Sequence, residues 1–247
     1  MIENKILSSL KNEQVKYWTS LKQMKNIKKF KQFIIETNHL VDIALKKGIV
    51  KTLIGSKSEL EKYSFQNKIE VSQSIIEKIS NVKTSQSIFA ICDLITEVFD
   101  PQIEKILMID DIQDPGNLGT LFRTAKAFGF NQIVMSPNTV SVYNDKLLRS
   151  TQGIIFALNF CYRDIELTIN QLIASGFQIL STFLDEQSIN YLEFTPNKKF
   201  CLLLGNEGNG LSDELRKLTD INVTIKTNDV ESLNVAIAGA ILMARFN

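Results

Sequence analysis

The chain of 247 residues is long enough for one large domain or two modest ones. Apolar residues make up 44% and charged residues 22%, a globular balance that excludes disorder, collagen-like repeats and coiled coil. The formal charge of +1 is unevenly spread: residues 1–51 hold eleven lysines and four acids, a net +7, and the remainder is net −6. The longest apolar runs, such as Cys201 to Leu204, fall far short of the roughly 20 residues that span a bilayer. The opening MIENKILSSLKNE carries charges where a signal peptide would be apolar. A cytoplasmic protein without membrane contact is expected. Cys92, Cys161 and Cys201 are isolated and His39 is the only histidine, so neither a zinc site nor a disulfide framework is expected. His39 reads as a helix-start residue rather than a catalytic base.

In chain order, Lys16 to Lys31 (KYWTSLKQMKNIKKFK) comes first, with six lysines, no acid, and Tyr17, Trp18 and Phe30 interleaved. Lysines that neutralise phosphates and aromatics that stack on unpaired bases would make it an RNA-binding segment. A solvated helix face accounts for it equally well. Lys16, Lys22, Lys25, Lys28, Lys29 and Lys31, with Arg149 further on, are the candidate RNA contacts. Strands over 33–36, 49–54, 68–71 and 88–93 then alternate with helices near 38–47, 57–63 and 72–79, a small α/β layer. Asp100-Pro101 breaks the pattern, which places a boundary between domains 1–100 and 101–247. A second alternation follows, with strands at 105–110, 132–136, 177–183, 199–204 and 222–225. Helices are expected at 118–128, near 145–150, at 165–175, from 213, and at 232–245. These strands are apolar on both faces, as a helix-covered parallel sheet requires, and the chemistry of such sheets gathers beyond the strands' carboxyl ends.

Three loops lie there. In IDDIQDPGNLGTLFRTAKAFGF (109–130), Asn117 reads as the helix N-cap and Gly129 as a left-handed C-cap, with Arg123 off the apolar stripe. A capped helix with a surface arginine explains this loop by itself. In LLLGNEGNGLSDEL (202–215), three glycines imply tight curvature or a close ligand. The spacing matches neither the Walker nor the dinucleotide pattern. Glu207 and Asp213-Glu214, after a Ser212 cap, would repel phosphate and suit an uncharged or cationic ligand. In NVTIKTNDVESLNVAIAGAILMARF (222–246), Ser232 can cap a helix whose small residues allow close packing, in the core or in a subunit interface.

Taken together, N-x-G-x-x-x-R (Asn117, Gly119, Arg123), L-x-G-N-E-x-x-G-L (Leu203 to Leu211) and S-L-N-V (Ser232 to Val235) resemble the SpoU-type, TrmH-like RNA 2′-O-ribose methyltransferases of the SPOUT superfamily. The resemblance is strong over residues 104–246. Residues 1–97 resemble the small ribosomal-protein-like substrate-binding domain of many members, although Thr37 stands where a glycine is frequent. The resemblance implies an α/β chain with a C-terminal knotted parallel-sheet domain and a usually homodimeric assembly. It implies methyl transfer from S-adenosylmethionine to a ribose 2′-hydroxyl, without metal, in 23S ribosomal RNA more than in transfer RNA. It implies that Arg123 is catalytic, that Asn117 orients the ribose, that Glu207 holds Arg123 or a ribose hydroxyl, and that Asn234 completes the polar rim. Leu204, Gly205, Asn206, Gly210, Ile225, Ser232, Leu233 and Asn234 would contact the cofactor. The segment 225–229 is shorter than the family pattern. A non-catalytic ribosomal-type RNA-binding protein and a nucleotide-dependent α/β enzyme are the rival readings.

Overall fold

The computed structural model describes all residues except 1–5, 83, 184, 186 and 231; part of the N-terminal stretch considered above lies outside the described residues. The chain forms two compact units. One runs to Thr96 and takes in Val142–Phe156; the other comprises Glu97–Ser141 and Ala157–Asn247.

The first unit contains α1 (Glu13–Ser20), α2 (Met24–Phe30), β1 (Gln32–Glu36), α3 (Asn38–Lys47), β2 (Val50–Gly55), α4 (Lys57–Leu60), β3 (Lys68–Glu70), α5 (Gln73–Ile79) and β4 (Ile88–Asp93). Its sheet runs in the order β1-β4-β2-β3, with β4 antiparallel to both neighbours and β2 parallel to β3. The lysine-rich segment is two short helices, not one. Val15, Trp18 and Leu21 from its first part are buried against Ile75, Ile76 and Ile79 of α5. His39 does sit in the first turn of α3, where its Nε2 lies 3.1 Å from the Gln152 carbonyl. Segment 142–156 is held to this unit also by Tyr143, whose hydroxyl accepts from the Ile95 amide at 2.9 Å.

The second unit begins with β5 (Lys105–Ile109), α6 (Pro115–Ala127) and β6 (Gln132–Met135). After α7 (Asp145–Ser150), which packs with the first unit, come β7 (Asn159–Tyr162), α8 (Ile165–Ala174), β8 (Gln178–Ser181), β9 (Ile189–Asn190), β10 (Phe200–Leu204), α9 (Asp213–Lys217), β11 (Ile221–Thr224) and α10 (Val235–Arg245). The seven strands pair in parallel in the order β7-β6-β5-β10-β8-β11-β9. Every residue of β10 is buried, as a central strand covered on both faces should be. β7 and β9 go unrecognised in the sequence: β9, at two residues, is too short to show a period, and β7 (NFCY) lacks the β-branched residues that mark a buried strand.

The cut between units falls at Thr96/Glu97 because residues 97–100 are fastened to the second sheet. The Val98 amide donates to Phe160 O at 2.9 Å, and the fully buried Gln132 side chain bonds both Asp100 N and Val98 O. Asp100-Pro101 therefore lies inside the second unit. Segment 142–156 joins the first unit by packing across the chain, which no local pattern encodes. α6 and α10 lie against each other through Gly239, where a Cβ would come within 2.6 Å of Leu121 Cδ2 and 2.8 Å of Leu204 Cδ1. No described helix is long and apolar enough to cross a membrane.

Thr37 joins β1 to α3 at φ 98°, ψ 142°. That region belongs to glycine, and a β-branched residue there costs about 1–3 kcal/mol. Its hydroxyl recovers little, accepting from Leu40 N at a long 3.4 Å. Thr37→Gly is expected to raise stability by about 1 kcal/mol after the entropic cost of glycine, read as a higher melting temperature; an unchanged or lower one would show the turn to be unstrained.

Candidate active site

The three loops meet beyond the carboxyl ends of β5, β10 and β11. α6 starts earlier than its apolar spacing suggests. Asp114, not Asn117, is its N-cap, accepting from the amides of Gly116 (2.7 Å) and Asn117 (2.9 Å), and Pro115 occupies the first helical position. A proline there is preorganised and forgoes no needed hydrogen bond. Asn117 is thereby released from capping and turns its side chain outward. Likewise α10 is capped by Asn234, whose Oδ1 accepts from Ala236 and Ile237, rather than by Ser232. Ser212 does cap α9, and Gly129 does follow α6 in the left-handed conformation.

Glu207 joins the loops. One carboxylate oxygen accepts from Asp114 N and Asn117 Nδ2, each at 3.1 Å, and the other from Gln113 N at 3.2 Å. Asn117 Oδ1 in turn accepts from Asn234 Nδ2 at 3.0 Å. One chain of hydrogen bonds thus runs from the second loop through the first to the third. Partial burial raises the Glu207 carboxyl, but the bonds from Asn117 and the backbone amides outweigh it and hold the group below the ordinary glutamate value.

Loop 205–210 is closed on itself. Asn206 and Gly210 exchange two backbone hydrogen bonds of 3.0 Å, and Asn206 Oδ1 accepts from the amides of Gly208 and Asn209. Its Nδ2 reaches Asp111 O at 2.7 Å. A Cβ on Gly205 would stand 2.5 Å from the Gly210 carbonyl, a clash with backbone that cannot rotate away. The loop's curvature thus requires that glycine.

Beside it opens a cavity of about 340 Å³ in the second unit, a small-molecule size. Of the expected cofactor contacts, Gly205, Asn206, Gly210, Ile225, Ser232 and Leu233 line it. Leu204 does not: its side chain is buried against Gly239 of α10. Asn234 is also off the wall, occupied with Asn117 and the helix cap. Segment 225–229 remains close to the cavity through Ile225 and Thr227, and the Thr227 hydroxyl donates to Val230 O at 2.8 Å, folding the shortened loop onto itself.

Sequence reasoning misses Phe183 and Arg216, which stand on the same wall without belonging to any motif. The Arg216 guanidinium lies 4.9 Å from the Phe183 ring centroid and only 3.6 Å from Asp213 Oδ1, and its buried Nε has no hydrogen-bond partner among the described residues. The wall therefore offers an acid, Glu207, a cation with an orphaned donor, Arg216, and apolar surface from Val223, Ile225 and Leu233. A zwitterionic ligand with a flat apolar part suits that donor set.

Arg123 is exposed on α6, and among the described residues it has neither an ion pair nor a hydrogen bond; the expected contact with Glu207 is not made. The helix explains this. Six residues place Arg123 about 9 Å along the axis from Asn117 and about 120° around it. The basic candidates lie in the first unit, where Arg149 pairs with Asp145 and Lys16 with Glu13. Among the described residues no cluster of His, Cys, Asp and Glu could hold a metal.

Residues 104–244 match the SpoU rRNA Methylase family and residues 12–90 the MRM3-like substrate binding domain. The chain is 36% identical over 244 residues to the 23S rRNA (guanosine(2553)-2′-O)-methyltransferase RlmP of Bacillus subtilis, covering 97% of this chain and 98% of that one. An AdoMet-bound rRNA methyltransferase from Sinorhizobium meliloti superposes with a TM-score of 0.87 at 30% identity, covering 98% of this chain and 96% of the other. A putative RNA methyltransferase of the TrmH family from Porphyromonas gingivalis gives 0.86 at 30% identity, covering 96% and 98%.

Because its folded pKa is depressed, the Glu207 tie is fully formed at neutral pH and is lost only as pH falls through that lowered value. Hydrogen-exchange protection at the Gln113 and Asp114 amides, measured relative to the intrinsic rate at each pH, is expected to hold down to the ordinary carboxylate range and to fall below it. In Glu207→Gln the acid-dependent step should vanish, and its persistence would assign the step to another group.

Proposed function

The chain belongs to the SpoU rRNA methylase family, and from that premise we propose that it transfers a methyl group from S-adenosylmethionine to a ribose 2′-hydroxyl of 23S ribosomal RNA in the cytoplasm. The observation that carries this reading is the hydrogen-bonded chain Glu207–Asn117–Asn234 at the edge of a cavity whose wall carries both Glu207 and Arg216. Full-length similarity to a 23S rRNA methyltransferase favours ribosomal over transfer RNA.

The cofactor's sulfonium supplies an electrophilic methyl with a neutral leaving group, so the protein needs no metal and no covalent nucleophile. The backbone of Gly205–Gly210, with Ile225 and Leu233, would hold the adenosine, and Arg216 and Glu207 would face opposite charges of the amino-acid end. Asn117, fixed by Glu207 and Asn234, orients the ribose. Arg123 acts as a cation rather than a base: it holds a phosphate or the nascent alkoxide, while the 2′-hydroxyl proton passes to solvent water as the new O–CH3 bond forms and the sulfonium S–CH3 bond breaks. The first unit, which takes in the expected domain 1–100 except residues 97–100 and adds segment 142–156, serves as the RNA substrate-binding domain, and the second as the methyltransferase domain. Insertion of β10 between β5 and β8, after the chain has already laid down β8 and β9, is consistent with a knotted second domain.

A homodimer completes the reading. α10 is apolar almost throughout, yet only one face is covered; Ile237 is 51% exposed. Arg123 lies off its own chain's cavity, and in a pair joined along α6 and α10 it would serve the partner's site. Arg123→Ala is expected to lower transfer of labelled methyl to 23S rRNA at least a hundredfold while leaving S-adenosylhomocysteine binding intact. Mixing inactive Arg123→Ala with inactive Glu207→Ala chains should restore about a quarter of the sites; no restoration would place Arg123 in its own chain's site, and full activity of Arg123→Ala would remove it from catalysis. Ile237→Glu should yield monomers by sedimentation, and a persistent dimer would move the interface elsewhere.

A further inference from the structure

The lysine-rich segment divides sharply once folded. Lys16 pairs with Glu13 at 2.7 Å, and Lys22 Nζ donates to the carbonyls of Lys78 and Ser80 at 3.2 and 3.1 Å. Lys25, Lys28 and Lys31 have no acceptor for their ammonium groups among the described residues, and Lys29 Nζ lies 5.3 Å from the Phe30 ring centroid. All four lie on α2 or at its C-cap.

The three aromatics divide as well. Trp18 is 3% exposed and belongs to the core. Tyr17 is half-buried, its hydroxyl donating to Gln32, which donates to Asp93 at 3.1 Å; Asp93 is paired with Lys51 at 2.8 Å. Phe30 is 41% exposed, and its ring is braced edge-to-face on Tyr17 at 5.0 Å and 83°. The result is one solvent-open aromatic ring, braced by Tyr17 and with Lys29 over it, beside three lysines without acceptors among the described residues.

We propose that Phe30 is a stacking platform for an unpaired nucleobase of the RNA substrate, with Lys25, Lys28, Lys29 and Lys31 gripping the flanking phosphates. A nucleobase offers the flat π-face that the exposed ring accepts, and its strand carries regularly spaced negative charge for the ammonium groups of Lys25, Lys28 and Lys31 and for Lys29 beside the ring. An acidic protein surface would satisfy the lysines but gives no reason for a single braced ring. The inference rests on the RNA-methylating reading and deepens it: the first unit would distinguish single-stranded from paired RNA through one side chain.

The test is fluorescence anisotropy of the full chain with a short labelled single-stranded RNA and with a fully paired duplex, across a salt series. Phe30→Ala should weaken single-strand binding about tenfold, leave duplex binding unchanged and keep the slope of log affinity against log salt. Phe30→Trp should retain affinity. Changing the four lysines to Gln should flatten the single-strand slope by about 0.7 for each phosphate no longer neutralised. Equal binding of both RNAs by Phe30→Ala and wild type, or parallel loss of both, would overturn the stacking role, as would polyglutamate competing as well as RNA, which would point to an acidic protein. A wild-type chain that binds S-adenosylhomocysteine but no RNA would instead overturn the RNA-methylating reading itself.

Discussion

The Glu207 carboxylate is where the second unit's local structures become one site. Each loop has its own reason to exist: Asp114 and Pro115 start α6, Asn206 and Gly210 close the glycine loop, and Asn234 starts α10. None of these devices places one loop relative to another. The three hydrogen bonds to Glu207, the Asn117–Asn234 bond and the Asn206 Nδ2–Asp111 O bond do so. Charge-assisted bonds of this kind are stronger than neutral ones and set position as well as energy. Their arrangement also explains the acid in a loop that would otherwise look made for phosphate: the carboxylate organises the amides around it, while the same wall carries the Arg216 cation.

Packing makes that arrangement possible. β10 is buried along its whole length between β5 and β8, so its carboxyl end delivers Gly205 beside the end of β5 without freedom to drift. Asp110 N bonds Leu204 O at 2.9 Å, extending the ladder one step past the strands. Beneath, Gly239 lets α10 approach Leu121 of α6 and Leu204 of β10 closely, which sets the position of Asn234 at the helix start. A methyl group at Gly205 or Gly239 would therefore be felt at the site through displaced backbone or core.

Much of this is legible in the sequence and some is not, for physical reasons. β4, α3 and α7 fall at their expected positions: β4 is a buried apolar run, α3 has an apolar stripe closed by Gly48, and α7 is capped by Asn144. The starts of α6 and α10 differ from expectation because Asn117 and Ser232 are good caps in isolation; Pro115 is the stronger signal for α6, and Asn234 competes as a cap with equal propensity for α10. Gly205 and Gly210, with Ile225, Ser232 and Leu233, line the cavity because loop position alone puts them there. Phe183 and Arg216 are invisible to pattern reading because a stacked pair made by two separate segments leaves no spacing to read. Within one chain, helix rotation keeps Arg123 from the Glu207 that bonds Asn117, and that rotation is contained in the sequence.

The claim that Glu207, Asn117 and Asn234 act as one connected unit is tested most directly by a double-mutant cycle in methyl-transfer rate between Glu207→Ala and Asn234→Ala, two residues that meet only through Asn117. If the chain of hydrogen bonds organises the site, either substitution alone removes most of the benefit, and the double variant loses far less than the two separate losses combined. Losses that add within about 0.3–0.5 kcal/mol would mean that the two side chains work independently, and the account of a single shared scaffold would be wrong.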